Sequence, residues 1–323
     1  MACLLAVAVR LSPLLLTRDL VNRIEYDGGV MLAGTIRLLA GQAPYADFIY
    51  LHPPGSLGLF APAAMLAGEL GEHGSLAVLR GAIIALGAGN TLLIGLLLRR
   101  FGTTAMAVGA GMYAVWPVVG LTERMVMLEP LLNFCLLAAL ILSRERTRIA
   151  GTWVAGVLLG LALSVKYWAA FDVVLIGVLL TARFGWRGLW RYLVAGAATV
   201  SVVVLPFFVR APNEMWAQTV ATQLSRPSTG VTLAARFNTL SAFFGTPSLD
   251  DAVPWVVWAA MWIGLVALAG VPMIGALRAR RPPSEWLDPV WWGLIAVTHA
   301  VVLGASAVFY DHYAFLKRQC HTL

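Results

Sequence analysis

Charge is the scarcest property of this sequence. Charged residues fill 12% of its 323 positions, about half the share found in soluble domains, while apolar residues reach 60%. Mean hydropathy is +0.81. That deficit excludes a soluble domain with an ordinary core and predicts a polytopic membrane protein. Lysine is almost missing: of 23 basic Lys and Arg residues only Lys166 and Lys317 are lysine. Cysteine is sparse too. Cys3, Cys135 and Cys320 are scattered, with neither metal-site nor disulfide spacing, and Cys135 reads as packing inside an apolar run. The "GAGN" at 87–90 has no strand before it and no P-loop lysine, which excludes a phosphate cradle. No basic helix or basic–aromatic motif accompanies the net charge of +7. The arginines therefore orient membrane spans, and nucleic acid is excluded as a partner.

Apolar runs of spanning length predict helices near 3–20, 76–98, 103–121, 126–142, 150–165, 167–182, 190–209, 254–277 and 289–309. Four arginine clusters separate them: Arg99 with Arg100; Arg144, Arg146 and Arg148; Arg183, Arg187 and Arg191; Arg278, Arg280 and Arg281. All four are assigned to the cytoplasmic side. The run 56–70 is too short to span comfortably, contains Pro62 and ends in Glu69 and Glu72, so it is assigned to an interfacial helix. The N-terminus lacks a small-residue cleavage site and predicts a retained first span. That span is short and contains Arg10, and the chain stops in "LKRQCHTL" where another span is due, which predicts a truncated gene product. The fold class is all-α: one polytopic transmembrane helix bundle over 1–323, with about nine spans and external juxtamembrane helices. An external catalytic loop covers 22–70 and a second external loop covers 210–253. The localisation is the cell membrane, multi-pass, with the active site on the external face.

The most polar passage of the first half is "RIEYDGGVMLAGTIRLLAGQAPYADFIYLHPPG", residues 23–55. Val30, Met31, Ile36, Leu38 and Leu39 are spaced for a short interfacial helix that Gly41 terminates. Asp27 is placed at its N-cap, where it serves either as a cap alone or as a general base at the membrane boundary. Glu25, Asp47, His52, Tyr26, Tyr45 and Tyr50 share the passage.

The pattern of an acid, glycine, a short helix, "GQAPYADF" and then "HPP" resembles the first external loop of the integral-membrane glycosyltransferases that use polyprenyl-phosphate sugars. That GT-C architecture includes the protein O-mannosyltransferases and the lipid A aminoarabinose transferases. The resemblance is specific over 26–55 and general in topology elsewhere. It implies inverting transfer of a sugar from a polyprenyl-phosphate donor to an acceptor hydroxyl of a cell-envelope lipid, glycan or protein, with the bilayer as solvent. In that family an Asp, usually followed by Glu, opens the loop helix as the catalytic or substrate-orienting acid. The matching position is Asp27, and the Glu position is Gly28 here. Gly41, Pro44, Tyr45, Asp47, Pro53 and Pro54 also match.

By the same resemblance Lys166, in "SVKYWAAFD", binds the donor phosphate. The alternative is a lysine that snorkels to the interface. Glu129 is a candidate for holding the acceptor or a divalent metal. Asp47, His52 and Tyr45 support the acceptor or the loop, while Glu25, His312 and Tyr313 are further candidates. Glu123 and Arg124 read as a local surface pair. His299 reads as a packed polar residue, and Gly156 and Gly160 as a helix-packing contact. The rival class is a transporter or flippase of lipid-linked or small polar substrates. It requires mid-membrane polar residues in related halves, and no inverted repeat is visible. A structural membrane subunit is the third.

Overall fold

A computed structural model of the chain describes residues 1–22, 25–144, 149–225 and 274. The chain divides into two compact units, Met1–Leu224 and Ser225–Leu323. The first is described below. The runs 254–277 (apart from Ile274) and 289–309, most of the 210–253 loop, and His299, His312 and Tyr313 lie outside the described residues.

The first unit is all-helical, with no strand among the described residues. In chain order it comprises α1 (Ala2–Leu16), α2 (Asp19–Asn22), α3 (Tyr26–Leu39), α4 (Gly55–Ala64), α5 (Ala67–Leu98), α6 (Thr103–Val115), α7 (Pro117–Thr122), α8 (Glu129–Arg144), α9 (Gly151–Val165), α10 (Ala169–Arg210), α11 (Pro212–Trp216) and α12 (Thr222–Leu224). A π-helical turn, Ala217–Ala221, joins the last two. Two stretches, Ala67–Phe101 and Ala169–Arg210, are long and apolar enough to cross a membrane.

Glycine and proline set where these helices break. Gly71 (φ 69°) kinks α5 and Gly185 (φ 61°) breaks α10, both in the left-handed region that only glycine enters cheaply. After Gly185 the chain folds back on itself, because the Tyr192 hydroxyl donates to the Val173 carbonyl at 2.8 Å. The runs expected at 167–182 and 190–209 are thus two arms of one hairpin. The run expected at 103–121 is corrected. It stops at Val115, where Trp116 is extended (ψ 120°) and Pro117 starts a new short helix. Proline lacks the N–H that would continue the ladder and forces its predecessor out of the helical region. The run 56–70 is split between α4, ten residues and roughly 15 Å long, about half a bilayer core, and the first residues of α5 from Ala67.

Packing follows residue size. A Cβ on Gly156 would come within 2.3 Å of the Tyr192 carbonyl oxygen, and one on Gly160 within 2.6 Å of the Gly196 carbonyl oxygen. The small residues therefore let α9 and the second arm of α10 touch backbone to backbone, as their spacing predicts. Large apolar side chains, including Val174, Val178, Val202 and Val209, stay on the outer face of α10. A water-facing helix keeps charges there instead.

Charge inside the bundle is paired. Arg10 is fully buried, its Nε 2.8 Å from Glu123 Oε2, and a terminal guanidinium nitrogen also bonds that oxygen. Another donates to the carbonyls of Ala6 and Ala114, each at 2.9 Å. The other Glu123 oxygen accepts from Asn90 Nδ2 at 2.8 Å and from the Tyr113 hydroxyl at 2.7 Å. The expected Glu123–Arg124 surface pair is therefore corrected: Glu123 is buried, and its cation comes from 113 residues away. An unpaired buried guanidinium costs more than a solvated one, so both single truncations are unfavourable. Glu123→Ala is expected to destabilise the purified protein by about 3–5 kcal/mol, and the double change Arg10→Met with Glu123→Leu to recover most of that loss. Thermal melting in one detergent checks both.

Candidate functional site

The entry to α3 is held by an ion pair. Glu25 precedes the helix, and its backbone carbonyl accepts the first helical bond, from Gly29 N–H at 2.9 Å. Its carboxylate takes Arg80, with Nε at 3.2 Å from Oε1 and a second guanidinium nitrogen on Oε2, while Arg80 also donates to the Leu20 carbonyl at 2.5 Å. Glu25 is thus engaged with α5. Asp27 is not the N-cap expected for it. The cap position belongs to Glu25, whose side chain makes no cap bond because Arg80 draws it away, and Asp27 lies half-buried in the first turn. Free N–H groups and the helix dipole favour a carboxylate there.

Gly28 brings α3 against the segment that leads into α8. A Cβ at position 28 would lie 3.2 Å from Val126 Cβ and 3.5 Å from Leu76 Cδ2. Any side chain at this position would press on Val126, so close packing favours the glycine. Met31 and Leu32 bury themselves with Phe60, Leu76, Leu79, Val126, Leu128 and Val165. One face of the helix is therefore buried against the bundle, while Tyr26, Val30 and Leu39 on its other side stay exposed.

Glu129 begins α8, and Lys166 follows α9 with an extended backbone (φ −154°, ψ 129°). Their side chains form an ion pair, with 23% of the Lys166 side chain and 39% of that of Glu129 exposed. His52 lies three residues before Gly55, which packs closely on the end of α9. A Cβ on Gly55 would meet the Ser164 carbonyl oxygen at 2.6 Å. The "HPPG" run is thereby pressed onto the end of α9 beside Lys166. Because α8 and α9 form an antiparallel hairpin, this end is opposite the one where Arg183 donates to the Ser143 carbonyl at 2.5 Å.

The loop carrying His52 has its own scaffold. Gly41 (φ 85°) ends α3 as its position predicts, with Gln42 N–H on the Arg37 carbonyl and Gly41 N–H on that of Leu38. Asp47 closes the next turn by accepting Ala43 N–H at 2.6 Å, and Arg210 lies 3.8 Å from the same oxygen. Tyr45 has φ 71°, an uncommon value for a residue with a side chain. Its hydroxyl donates to the His52 carbonyl at 2.7 Å, and the Tyr50 hydroxyl bonds Ser56 Oγ at 2.6 Å. Burial, then the neighbouring Tyr50 and Tyr167, push the Tyr45 phenol far above its usual range. Burial also raises Tyr50, partly offset by the bond to Ser56. Both remain protonated donors at physiological pH.

Lys166, Glu129 and His52 are thus gathered at one end of the bundle, and Asp27 opens the helix that packs beside the Glu129 segment. Asp47 and Tyr45 hold the loop and Glu25 holds α5. Sequence reasoning missed Gln218, Thr219 and Gln223, which bind the loop and the Lys166 turn, and the Arg10–Asn90–Tyr113–Glu123 cluster. The Pro212 that opens α11 was the available signal for the former.

Among the described residues no three His, Cys, Asp or Glu side chains are grouped to hold a metal ion. The Glu129 carboxylate faces an ammonium, so this donor set does not fit a divalent cation. Comparison with known protein families, curated proteins and solved structures finds no match for the chain.

The pairing is directly testable. A water-soluble carbodiimide should form an amide between Lys166 Nζ and Glu129, seen by peptide mapping as a zero-length link between the starts and ends of α8 and α9. Lys166→Arg should abolish it, because a guanidinium is not acylated under those conditions.

Proposed function

We propose that the chain is a multi-pass membrane glycosyltransferase that moves a sugar from a polyprenyl-phosphate donor to an acceptor hydroxyl at the external face of the membrane. The observation that carries this reading is the Lys166–Glu129 ion pair at the end of the bundle onto which the 52–55 run packs, built from segments far apart in sequence. The loop pattern at 26–55 supplies the substrate class by resemblance, and the apolar outer face of α10 supports a bilayer around it.

The residues divide the work by charge. A polyprenyl-phosphate leaving group is already anionic and needs a cation, not an acid. Lys166 has three N–H donors; Glu129 takes one and keeps the side chain extended, leaving the others for phosphate oxygens. The ion pair is partly exposed, so a phosphate can approach the ammonium and share it. In transfer, the acceptor oxygen bonds to the anomeric carbon as the bond from that carbon to the phosphate oxygen breaks. The electron pair leaves with the polyprenyl phosphate, and the acceptor proton passes to Asp27. Glu129 and His52 orient the acceptor.

One observation favours transport as a second reading: the fully buried Arg10, Asn90 and Glu123 inside an apolar bundle. Their hydrogen bonds run to one another and to backbone carbonyls, which serves architecture as well as passage. Movement of a labelled polyprenyl-phosphate sugar across reconstituted vesicles, without transfer to any acceptor, would establish it instead.

With labelled polyprenyl-phosphate sugars and envelope acceptors, Lys166→Ala should raise the donor KM by roughly ten- to hundred-fold, and the acceptor KM far less. An unchanged donor KM in an inserted variant returns Lys166 to a snorkelling role. Asp27→Asn should preserve the melting temperature and lower turnover by at least about two decades. Near-normal turnover removes Asp27 as the base.

A further inference from the structure

The segment after α10 is not a passive continuation of a long helix. Ala211 (φ −147°, ψ 67°) breaks the helix and Pro212 restarts it in a new direction. Ala211 and Met215 then bury themselves against Tyr45, Phe48, Tyr50 and Leu57. The segment thus returns to the loop that carries His52.

Its polar contacts are more specific than its apolar ones. Gln218 Oε1 accepts the Tyr50 N–H at 2.9 Å, and Gln218 Nε2 donates to the Tyr45 carbonyl at 3.1 Å. One side-chain amide therefore satisfies two backbone groups of nearly fully buried tyrosines, as a neighbouring strand would. Gln223 Nε2 adds a bond to the Leu51 carbonyl at 3.1 Å. The adjacent Thr219 Oγ1 bonds the Tyr167 hydroxyl at 3.1 Å, next to Lys166. A π-helical turn presents both residues, the irregularity that often marks a helix bent to a purpose.

These bonds join the two halves of the site. Tyr45, fixed at its carbonyl by Gln218, donates its hydroxyl to the His52 carbonyl, and the 52–55 run that follows packs on the end of α9 at Ser164. Tyr167, tied to Thr219, follows Lys166 directly. We infer that Gln218 is a positioning residue: it sets the 45–52 loop, whose continuation through Gly55 packs on the end of α9 next to Lys166. This inference rests on the proposed transfer for its functional meaning, but its geometry can be tested without activity. Met215 and Ala211 keep the segment docked when Gln218 is changed, so the polar alignment can be removed while the contact remains.

The experiment uses the full chain in lipid nanodiscs and compares wild type with Gln218→Leu and Gln218→Glu. Hydrogen exchange is followed over 43–54, and modification by diethylpyrocarbonate is followed at His52, with the exposed His73 as reference. In Gln218→Leu the Tyr50 amide should exchange about five-fold faster or more, since its acceptor is gone. His52 should change its modification rate while His73 and the exchange of Gly151–Val165 stay as in wild type. Gln218→Glu keeps an acceptor for Tyr50 and loses the donor to Tyr45, so Tyr50 should stay protected while His52 still shifts. In transfer assays Gln218→Leu should lower kcat and raise the acceptor KM with the donor KM within two-fold of wild type, a split that general destabilisation does not give. Unchanged exchange at Tyr50 and unchanged His52 reactivity in Gln218→Leu overturn the inference. Should Gln218→Leu lose protection throughout α9, the Gln218→Glu result decides. A wild-type protein with no transfer activity sinks the proposed reaction alone, because exchange and His52 reactivity still judge Gln218.

Discussion

A charge inside an apolar bundle has to be met by a partner, and the Glu123 carboxylate is where this chain meets that demand. It accepts from Arg10 on α1, Asn90 on α5 and Tyr113 on α6, and Asn90 reaches on to the Pro130 carbonyl at the start of α8. A Cβ on Gly87 would fall 2.5 Å from Glu123 Oε2, so even the glycine is fixed by the carboxylate. Such a pair adds little net stability over an apolar replacement, but it specifies which helices meet and in what register. The residue after Glu129 is tied into it, and so the lower edge of the candidate site is inherited from the bundle's interior charge.

Three of the acid–base pairs among the described residues form a gradient of burial. Arg10–Glu123 is sealed, Arg80–Glu25 is nearly so, and Lys166–Glu129 is open to its surroundings. The first shapes the bundle and the second anchors the entry of α3. The third uses the same chemistry at a place a ligand can reach, with a lysine whose remaining donors are available to an anion. This partly exposed pair, at the turn onto which the 52–55 run packs, is the arrangement on which the proposed transfer rests.

Local features were legible in the sequence where they depend on local rules. Gly41 stops α3, Gly156 and Gly160 allow close helix contact, and the 56–70 run proves too short for a span because each rests on one residue's own conformational or steric property. Long-range partners were not legible. Nothing near Glu123 points to Arg10, and the adjacent Arg124 offered a nearer cation. Asp27 was assigned the cap because the acid–glycine pattern is a cap signature, but Arg80, 55 residues from Glu25, decides where the helix begins. Gln218 carries no signal at all in isolation: its role exists only once Tyr45 and Tyr50 are folded beneath it. The site's composition could be read from residue types, whereas its assembly depends on pairings across the chain.

The central claim is that the Lys166–Glu129 end of the bundle receives a polyprenyl phosphate. Photolabelling in nanodiscs with a polyprenyl phosphate bearing a diazirine near its phosphate tests it most directly. The account predicts labels concentrated at 26–31, 52–55 and 166–168, displaced by unlabelled polyprenyl phosphate and lost in Lys166→Ala. Labels spread over the outer face of α10, or gathered around Trp186 and Trp190 at the opposite end and indifferent to Lys166, would contradict it.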